Sequence, residues 1–277
     1  MNQTQSDPKS IYISVPSVLL ALCIDISFIF IYSFIHIKYY GGKIFSVLIG
    51  IAGFFGSVFI EGVIISVIAQ IVGRGSNWLI PFNLSFPGIF EETGRYLCFK
   101  FILNKDEKKN KSIGYGIGHG GIESFLIGIS LLSLLMSKDN LIQQGAIKGN
   151  VTFGTLFFGV FERFNCVFIQ ISLSVIVFKA VKENNINYYI LAIFLHDFVD
   201  FFAFLYQRKI LGNIIVLELI ICIFAAIFSR YAYKLYINLS DGEQKEKEKE
   251  KEKDNEKEEN EEKQKMFALE DKKEQEV

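Results

Sequence analysis

The stretch KSIGYGIGHGGIESFLIGISLLSLL, residues 111–135, is apolar enough to begin a membrane-spanning helix, yet it carries His119 and Glu123. These two residues are four apart, so their side chains lie on one face of a helix, one turn apart. A charge inside lipid costs at least roughly 2.5 kcal/mol on insertion scales, so each one requires a reason. Glycines surround the imidazole, and their bare backbone would let another helix pack closely. They are Gly114, Gly116, Gly118, Gly120 and Gly121.

The chain around this stretch divides into an apolar body and a charged tail. Apolar residues make up 51% of the 277 residues, but from residue 241 the sequence reads DGEQKEKEKEKEKDNEKEENEEKQK. We predict an all-α, polytopic integral membrane helical bundle over residues 1–240 and a disordered charged tail over 241–277. Cutting the body at charged or turn-like stretches gives about seven transmembrane helices, near 11–35, 44–72, 78–103, 113–136, 151–178, 187–206 and 210–236.

Basic residues mark one end of the predicted bundle. Lys and Arg concentrate in NKDEKKNKS (104–112), and also in HIKYYGGK (36–43), FKAVKEN (178–184) and RYAYK (230–234), which fall on the same side. The positive-inside rule makes this side cytoplasmic, so we expect the N-terminus outside and the tail in the cytoplasm. The four cysteines lie singly within apolar blocks, which favours packing as small hydrophobic residues over disulfides or a cysteine metal site.

Further ionisable groups recur at a common depth in the predicted spans. With a rise of about 1.5 Å per residue, His119 and Glu123 lie roughly 10 and 17 Å from the basic loop at 104–112. Glu92 lies roughly 18 Å from that loop, and His196 and Asp200 roughly 13 and 19 Å from the loop near 185. Three helices are therefore predicted to bring carboxylates and imidazoles together in the cytoplasmic half of the membrane. The ionisable residues within these three predicted helices and within the fifth predicted span, 151–178, are Glu91, Glu92, Arg95, His119, Glu123, Glu162, Arg163, His196, Asp197 and Asp200.

Two imidazoles with carboxylates, and no nucleophile fixed to the protein, suit the activation of a water molecule. The water could be bound to a metal, because His/His/carboxylate is a common catalytic zinc shell that leaves one position open. It could instead be polarised directly, with a glutamate as general base. In that case Arg95 would keep one carboxylate of the Glu91–Glu92 pair charged while the other takes the proton.

The blocks EETGR (91–95), GYGIGHGGIES (114–124), FER (161–163) and HDFVD (196–200), in this order, resemble the YhfC-like family of bacterial intramembrane metalloproteases. They are more distantly similar to the CAAX-protease and bacteriocin-processing superfamily. Members of that superfamily carry EExxxR, aromatic-xxx-His and HxxxN or HxxxD on separate membrane helices. YGIGH and HDFVD fit the last two patterns, whereas EETGR has one spacer residue fewer than the first. The resemblance covers about residues 85–205.

The resemblance implies a CAAX-protease-like core in a bacterial plasma membrane, and proteolysis within that membrane. It implies that Glu91 or Glu92 activates water with His119 and His196. It further implies that a metal, with Zn²⁺ as the candidate, or a water is held by His119, His196 and Asp200. Supporting roles then fall to Arg95, Glu123, Glu162 and Asp200. A further histidine is expected about eight residues after the start of the Glu-Arg pair. This chain has Gln170 there, which favours a metal-free mechanism.

We therefore expect an intramembrane peptidase that cleaves a membrane-associated peptide or protein in the cytoplasmic half of the bilayer. Its partners would be lipid and substrate, without nucleic acid or a dinucleotide cofactor. Intramembrane His, Glu and Asp also mark proton relays, so a proton-coupled transporter is the alternative, although no internal repeat is present. A non-catalytic scaffold or immunity-type protein on the same fold is the third reading. Asp25 and Glu61 are expected in helix packing or a polar cavity, and His36 at the membrane interface.

Overall fold

The computed structural model describes residues 12–103, 108–143 and 150–239. Over these ranges the chain is helical without a strand, as the sequence predicts for an all-α membrane protein. The predicted tail at 241–277 lies outside the described residues. The helices are α1 (Val15–Tyr40), α2 (Ile44–Val72), α3 (Leu79–Leu97), α4 (Asn110–Met136), α5 (Lys138–Gln143), α6 (Phe153–Glu183), α7 (Ile186–Gln207) and α8 (Ile214–Asn238).

Six of the described helices are long and apolar enough to cross a membrane, namely α1, α2, α4, α6, α7 and α8. Of the two remaining helices, α5 has 6 residues, and α3 has 19 and carries Glu91, Glu92 and Arg95 at buried positions. It packs between α2 and α7, and a five-residue π-helix, Cys98–Ile102, continues it. The predicted count of about seven helices therefore includes α3, whose two glutamates and one arginine make it more polar than the six others.

The long helices alternate in direction through the bundle. At one end, which we call the basic end, Asn110 donates hydrogen bonds to the carbonyls of Tyr40 and Gly41, at 3.3 and 3.1 Å. The Nζ of Lys109 donates to the carbonyl of Leu239 at 3.0 Å, which places the end of α8 beside the start of α4. At the other end, which we call the opposite end, the N–H of Ser14 donates to the carbonyl of Val151 at 2.8 Å.

Helix α4 lies at the centre, against α1, α2 and α6, and its glycines make this possible. A Cβ built on Gly118 would lie 2.0 Å from the carbonyl oxygen of Val47 in α2. One built on Gly116 would lie 2.4 Å from the Cα of Ile171 in α6. The backbones of three helices therefore approach at distances that no side chain larger than hydrogen permits. The sequence expectation of close packing around the imidazole is met on both sides of α4.

Proline in α3 does not end the helix. The pair Pro87-Gly88, just ahead of the two glutamates, predicts a kink or a break in the third span. Helix α3 continues through both residues, so the chain does not break there. The N–H of Gly88 donates a hydrogen bond to Oδ1 of Asp197 in α7, at 3.1 Å. A proline removes one backbone donor and weakens the local helix ladder, so this contact from α7 compensates locally and fastens α3 to α7.

Candidate functional site

Carboxylates and imidazoles from α3, α4 and α7 meet inside the bundle. Oε2 of Glu91 lies 2.8 Å from Nε2 of His119 and 3.7 Å from Nε2 of His196. Oδ2 of Asp200 lies 3.8 Å from the same Nε2 of His196, which is a contact but not a hydrogen bond. One carboxylate oxygen thus lies between two imidazole nitrogens that come from separate helices.

Glu92 lies behind His196, away from this meeting point. Its Oε1 is 2.7 Å from Nδ1 of His196, and both Glu92 and Arg95 are fully buried. An ionised carboxylate only accepts hydrogen bonds, so Nδ1 of His196 carries the proton. In the neutral ring the lone pair of His196 is then on Nε2, the atom that faces Glu91 and Asp200. Neighbouring glutamates in the sequence therefore contact opposite nitrogens of the same ring.

Arg95 holds Glu92 and is itself held by α6. Its Nη1 lies 3.4 Å from Oε2 of Glu92, as an ion pair without hydrogen-bond geometry. Its Nη2 donates to Oε1 of Gln170 at 2.5 Å, and Nη1 donates to the Gln170 carbonyl at 3.2 Å. The guanidinium also lies 5.8 Å from the ring centroid of Tyr115. The amide that stands where a histidine was expected therefore binds Arg95.

A cavity of about 130 Å³ adjoins Glu91 and the imidazole of His196. Glu123 lines it and pairs with Arg163 at 2.7 Å, and Arg163 also binds its sequence neighbour Glu162. The Nε2 of Gln170 donates to Glu123 at 3.4 Å, which links this charged group to Arg95. The lining includes Glu91, Glu123, Glu162, Arg163, Cys166, Gln170, His196, Asp200 and Ala203.

Three further ionisable residues lie outside this group. His36, expected at the membrane interface, lies one turn before the end of α1 and is 1% exposed, because its ring fills the space beside Gly42 and Gly114. Asp25 is buried, as expected for a packing residue. Glu218 was missed, although it is a single acid in the apolar run of α8; it is buried and its carboxyl oxygens have no hydrogen-bond partner among the described residues.

Comparisons with known proteins point to one family. A family model described as YhfC intramembrane metalloprotease matches residues 22–221, a range that contains every candidate site residue and also most of α1 and all of α2. The chain is 30% identical over 169 residues to a Bacillus subtilis (strain 168) protein named "Uncharacterized membrane protein YhfC". This alignment takes in 54% of the chain and 66% of the relative, slightly less than two thirds of the relative's length. No solved structure matches the chain.

Proposed function

Because the chain belongs to the YhfC intramembrane metalloprotease family, we propose that it is an intramembrane peptidase that hydrolyses a peptide bond of a membrane-associated substrate. One observation carries the proposal: Oε2 of Glu91 lies between Nε2 of His119 and Nε2 of His196, inside a membrane bundle. A structural ion pair would not need three helices to aim their polar atoms at one point beside a cavity. General acid–base chemistry on water does need that arrangement.

Glu91 is the general base in this proposal. Its Oε2 takes a proton from the attacking water and returns it to the amine that leaves when the peptide bond breaks. His119 holds this oxygen at 2.8 Å, and His196 presents an Nε2 lone pair to the same space. Glu92 is a positioning residue, because it touches Nδ1 of His196 and not the cavity. Its ion pair with Arg95 keeps it in the charged form that accepts this hydrogen bond.

The family description implies a metal, and the donor atoms fit one in kind. Among the described residues no group of three His, Cys, Asp or Glu side chains is arranged to hold a metal ion. Two imidazole Nε2 atoms and a carboxylate are nevertheless the kinds of donor that catalytic zinc takes, and ligating histidines usually bind a carboxylate through their other nitrogen, as His196 binds Glu92. His119, His196 and Asp200 would hold the ion, and Nε2 of His119 would then bind the ion and no longer donate to Glu91. A bound zinc ion would polarise water and the scissile carbonyl.

A Glu91→Gln variant tests the proposal. The amide keeps the shape of the side chain and its contact with His119 but cannot take the proton from water. Its matched control is Glu183→Gln, which changes an exposed acid on α6 that pairs with Lys179, away from the candidate site. A single-span membrane protein with an epitope tag on each side serves as the substrate in reconstituted vesicles, and its fragments are quantified on immunoblots.

We expect Glu91→Gln to lower the cleavage rate at least about 10²-fold, the usual contribution of a general base. Glu183→Gln should cleave at the rate of the unaltered chain. Two results would contradict the proposal. One is a Glu91→Gln variant that cleaves as fast as the unaltered chain, and the other is an unaltered chain that cleaves no member of a panel of single-span substrates.

Proton-coupled transport is the second candidate, favoured by the buried carboxyl of Glu218. An intramembrane acid without a hydrogen-bond partner is the kind of group that proton relays use. Proton flux into reconstituted vesicles, abolished by Glu218→Gln while cleavage is absent, would favour the carrier. Cleavage with no flux would favour the peptidase.

A further inference from the structure

Four helices are packed tightly toward the basic end and loosely toward the opposite end. Within these fully described helices, α2 has no buried residue after Ser57, α4 has none after Gly128, and α7 has none after Val199. Helix α6 runs the other way and has no buried residue before Asn165. The four helices therefore separate on the same side of the candidate site.

The separated region is polar, although it lies within helices that are apolar enough to cross a membrane. The side chains of Asp200, Glu123 and Glu162 are 37%, 28% and 24% exposed. Glu61 of α2 is half-buried and lies within electrostatic range of Glu91 and Asp200. Four helices thus contribute partly exposed carboxyls to one space. Charged groups facing acyl chains are costly, so this space holds water and not lipid.

The cavity joins this region to Glu91 and His196. Its lining runs from Glu91 and His196 to Ala203, which is four residues from the end of α7 at the opposite end of the bundle. We call this cavity the vestibule, and Glu123, Asp200 and Ala203 are among the residues that line it. Toward the basic end the way is closed by side chains with no exposure, including Phe99, Tyr115 and Phe178.

We propose that water and substrate reach the site through the vestibule, from the end opposite the basic loops, and that the substrate enters as an extended chain. The second part follows from size. A volume of about 130 Å³ holds roughly four waters at about 30 Å³ each, whereas a helix with its side chains is about 10–12 Å across. The partner is therefore a membrane-anchored polypeptide whose scissile bond lies in an unwound stretch next to its hydrophobic segment. This inference rests on the proposed function for the identity of the partner, but not for the path of water.

Cysteine labelling tests the path without any need for catalysis. The four native cysteines are replaced by alanine, and single cysteines are introduced by Ala203→Cys in the vestibule and by Ala192→Cys, which is fully buried on the same helix. Asn77→Cys reports the opposite end and Lys43→Cys the basic end, since both positions are exposed. The reagent is the membrane-impermeant 2-(trimethylammonium)ethyl methanethiosulfonate, applied to sealed vesicles of either orientation.

The Ala203→Cys variant should react from the same face of the membrane as the Asn77→Cys variant. The Ala192→Cys variant should react at least about 100-fold more slowly, because a buried thiol cannot form the reactive thiolate. Reaction of the Ala203→Cys variant only from the face that labels the Lys43→Cys variant, or from neither face, would overturn the proposal.

Two further measurements keep the result interpretable. If the cysteine-free chain fails to fold, native Cys166 in the unaltered chain lines the same cavity, and mass spectrometry of its peptide reports labelling. Modification of the Ala203→Cys variant should also slow substrate cleavage. Labelling as expected in a protein that cleaves nothing would overturn the proposed function and leave the water path in place.

Discussion

The buried ion pair between Arg95 and Glu92 predicts a large loss of stability that a second substitution recovers. Both side chains are fully buried, and the nitrogen and oxygen are 3.4 Å apart. Arg95→Met removes the cation and leaves a carboxylate in the interior with only His196 as partner. Removing one member of a buried pair costs about 3–5 kcal/mol, because the remaining charge is uncompensated.

The double variant carries Arg95→Met together with Glu92→Gln. The amide has the shape of the carboxylate but no charge, and it still accepts the hydrogen bond from Nδ1 of His196. The double variant still lacks the two hydrogen bonds from the guanidinium to Gln170, which measure 2.5 and 3.2 Å. A hydrogen bond from a charged donor contributes at most about 1.5–3 kcal/mol. The double variant should therefore be no less stable than Arg95→Met alone, although it carries one more substitution.

Far-UV circular dichroism of the purified protein in detergent measures the unfolding temperature of each variant. For a domain of this size a loss of 3–5 kcal/mol lowers that temperature by roughly 6–20 °C. Glu183→Gln removes the exposed member of a pair whose other member, Lys179, is buried but keeps its contact with the ring of Tyr188, so it should lower stability by less than Arg95→Met. Losses in the two single variants that simply add up in the double variant would refute the reasoning, because the two side chains would then not interact.

Three more predictions follow from the packing and the site. Gly118→Ala should lower the unfolding temperature, because its Cβ would lie 2.0 Å from a backbone oxygen, whereas Gly56→Ala, with nothing within 4 Å, should leave it unchanged or raise it; a scan of both variants checks this, and equal shifts would contradict it. Elemental analysis should find zinc in the purified protein, and the zinc content should fall in His119→Ala and His196→Ala variants that remain folded. Active protein without metal would assign the activation of water to glutamate alone. Gln170→Leu should cost about 1–3 kcal/mol by leaving a buried guanidinium without its acceptor, and a lower cleavage rate at unchanged metal content would show that this amide acts through Arg95.

Much of the site could be predicted because helices are regular. A fixed rise per residue is enough to put Glu91, Glu92, His119 and His196 at one depth, and the cost of charge in lipid directs them inward. Which of two adjacent glutamates faces the cavity depends on the rotation of α3 about its axis. That rotation is set by packing against α2 and α7, on which the sequence of α3 alone carries no signal.

Tertiary contacts also decide features that the sequence of a single helix does not show. Pro87 does not break α3, because a carboxylate from α7 satisfies a backbone donor beside it. His36 is buried, because two glycines far apart in the chain, Gly42 and Gly114, leave a recess that fits its ring. The role of Gln170 depends on an arginine 75 residues earlier. Each outcome depends on a partner from another helix.

The glycine-lined helix α4 has a consequence for reading mutational data. A Cβ on any of the five glycines between residues 114 and 121 would lie closer than 3.0 Å to an atom of another helix, and at Gly116 and Gly118 that atom belongs to the backbone. Replacing Gly116 or Gly118 should therefore harm the protein as severely as replacing His119. In a survey of tolerated substitutions this stretch would register as one uniformly intolerant band. Only a readout that separates folding from turnover would distinguish the imidazole, to which we assign a part in the chemistry, from the glycines, which make room for it.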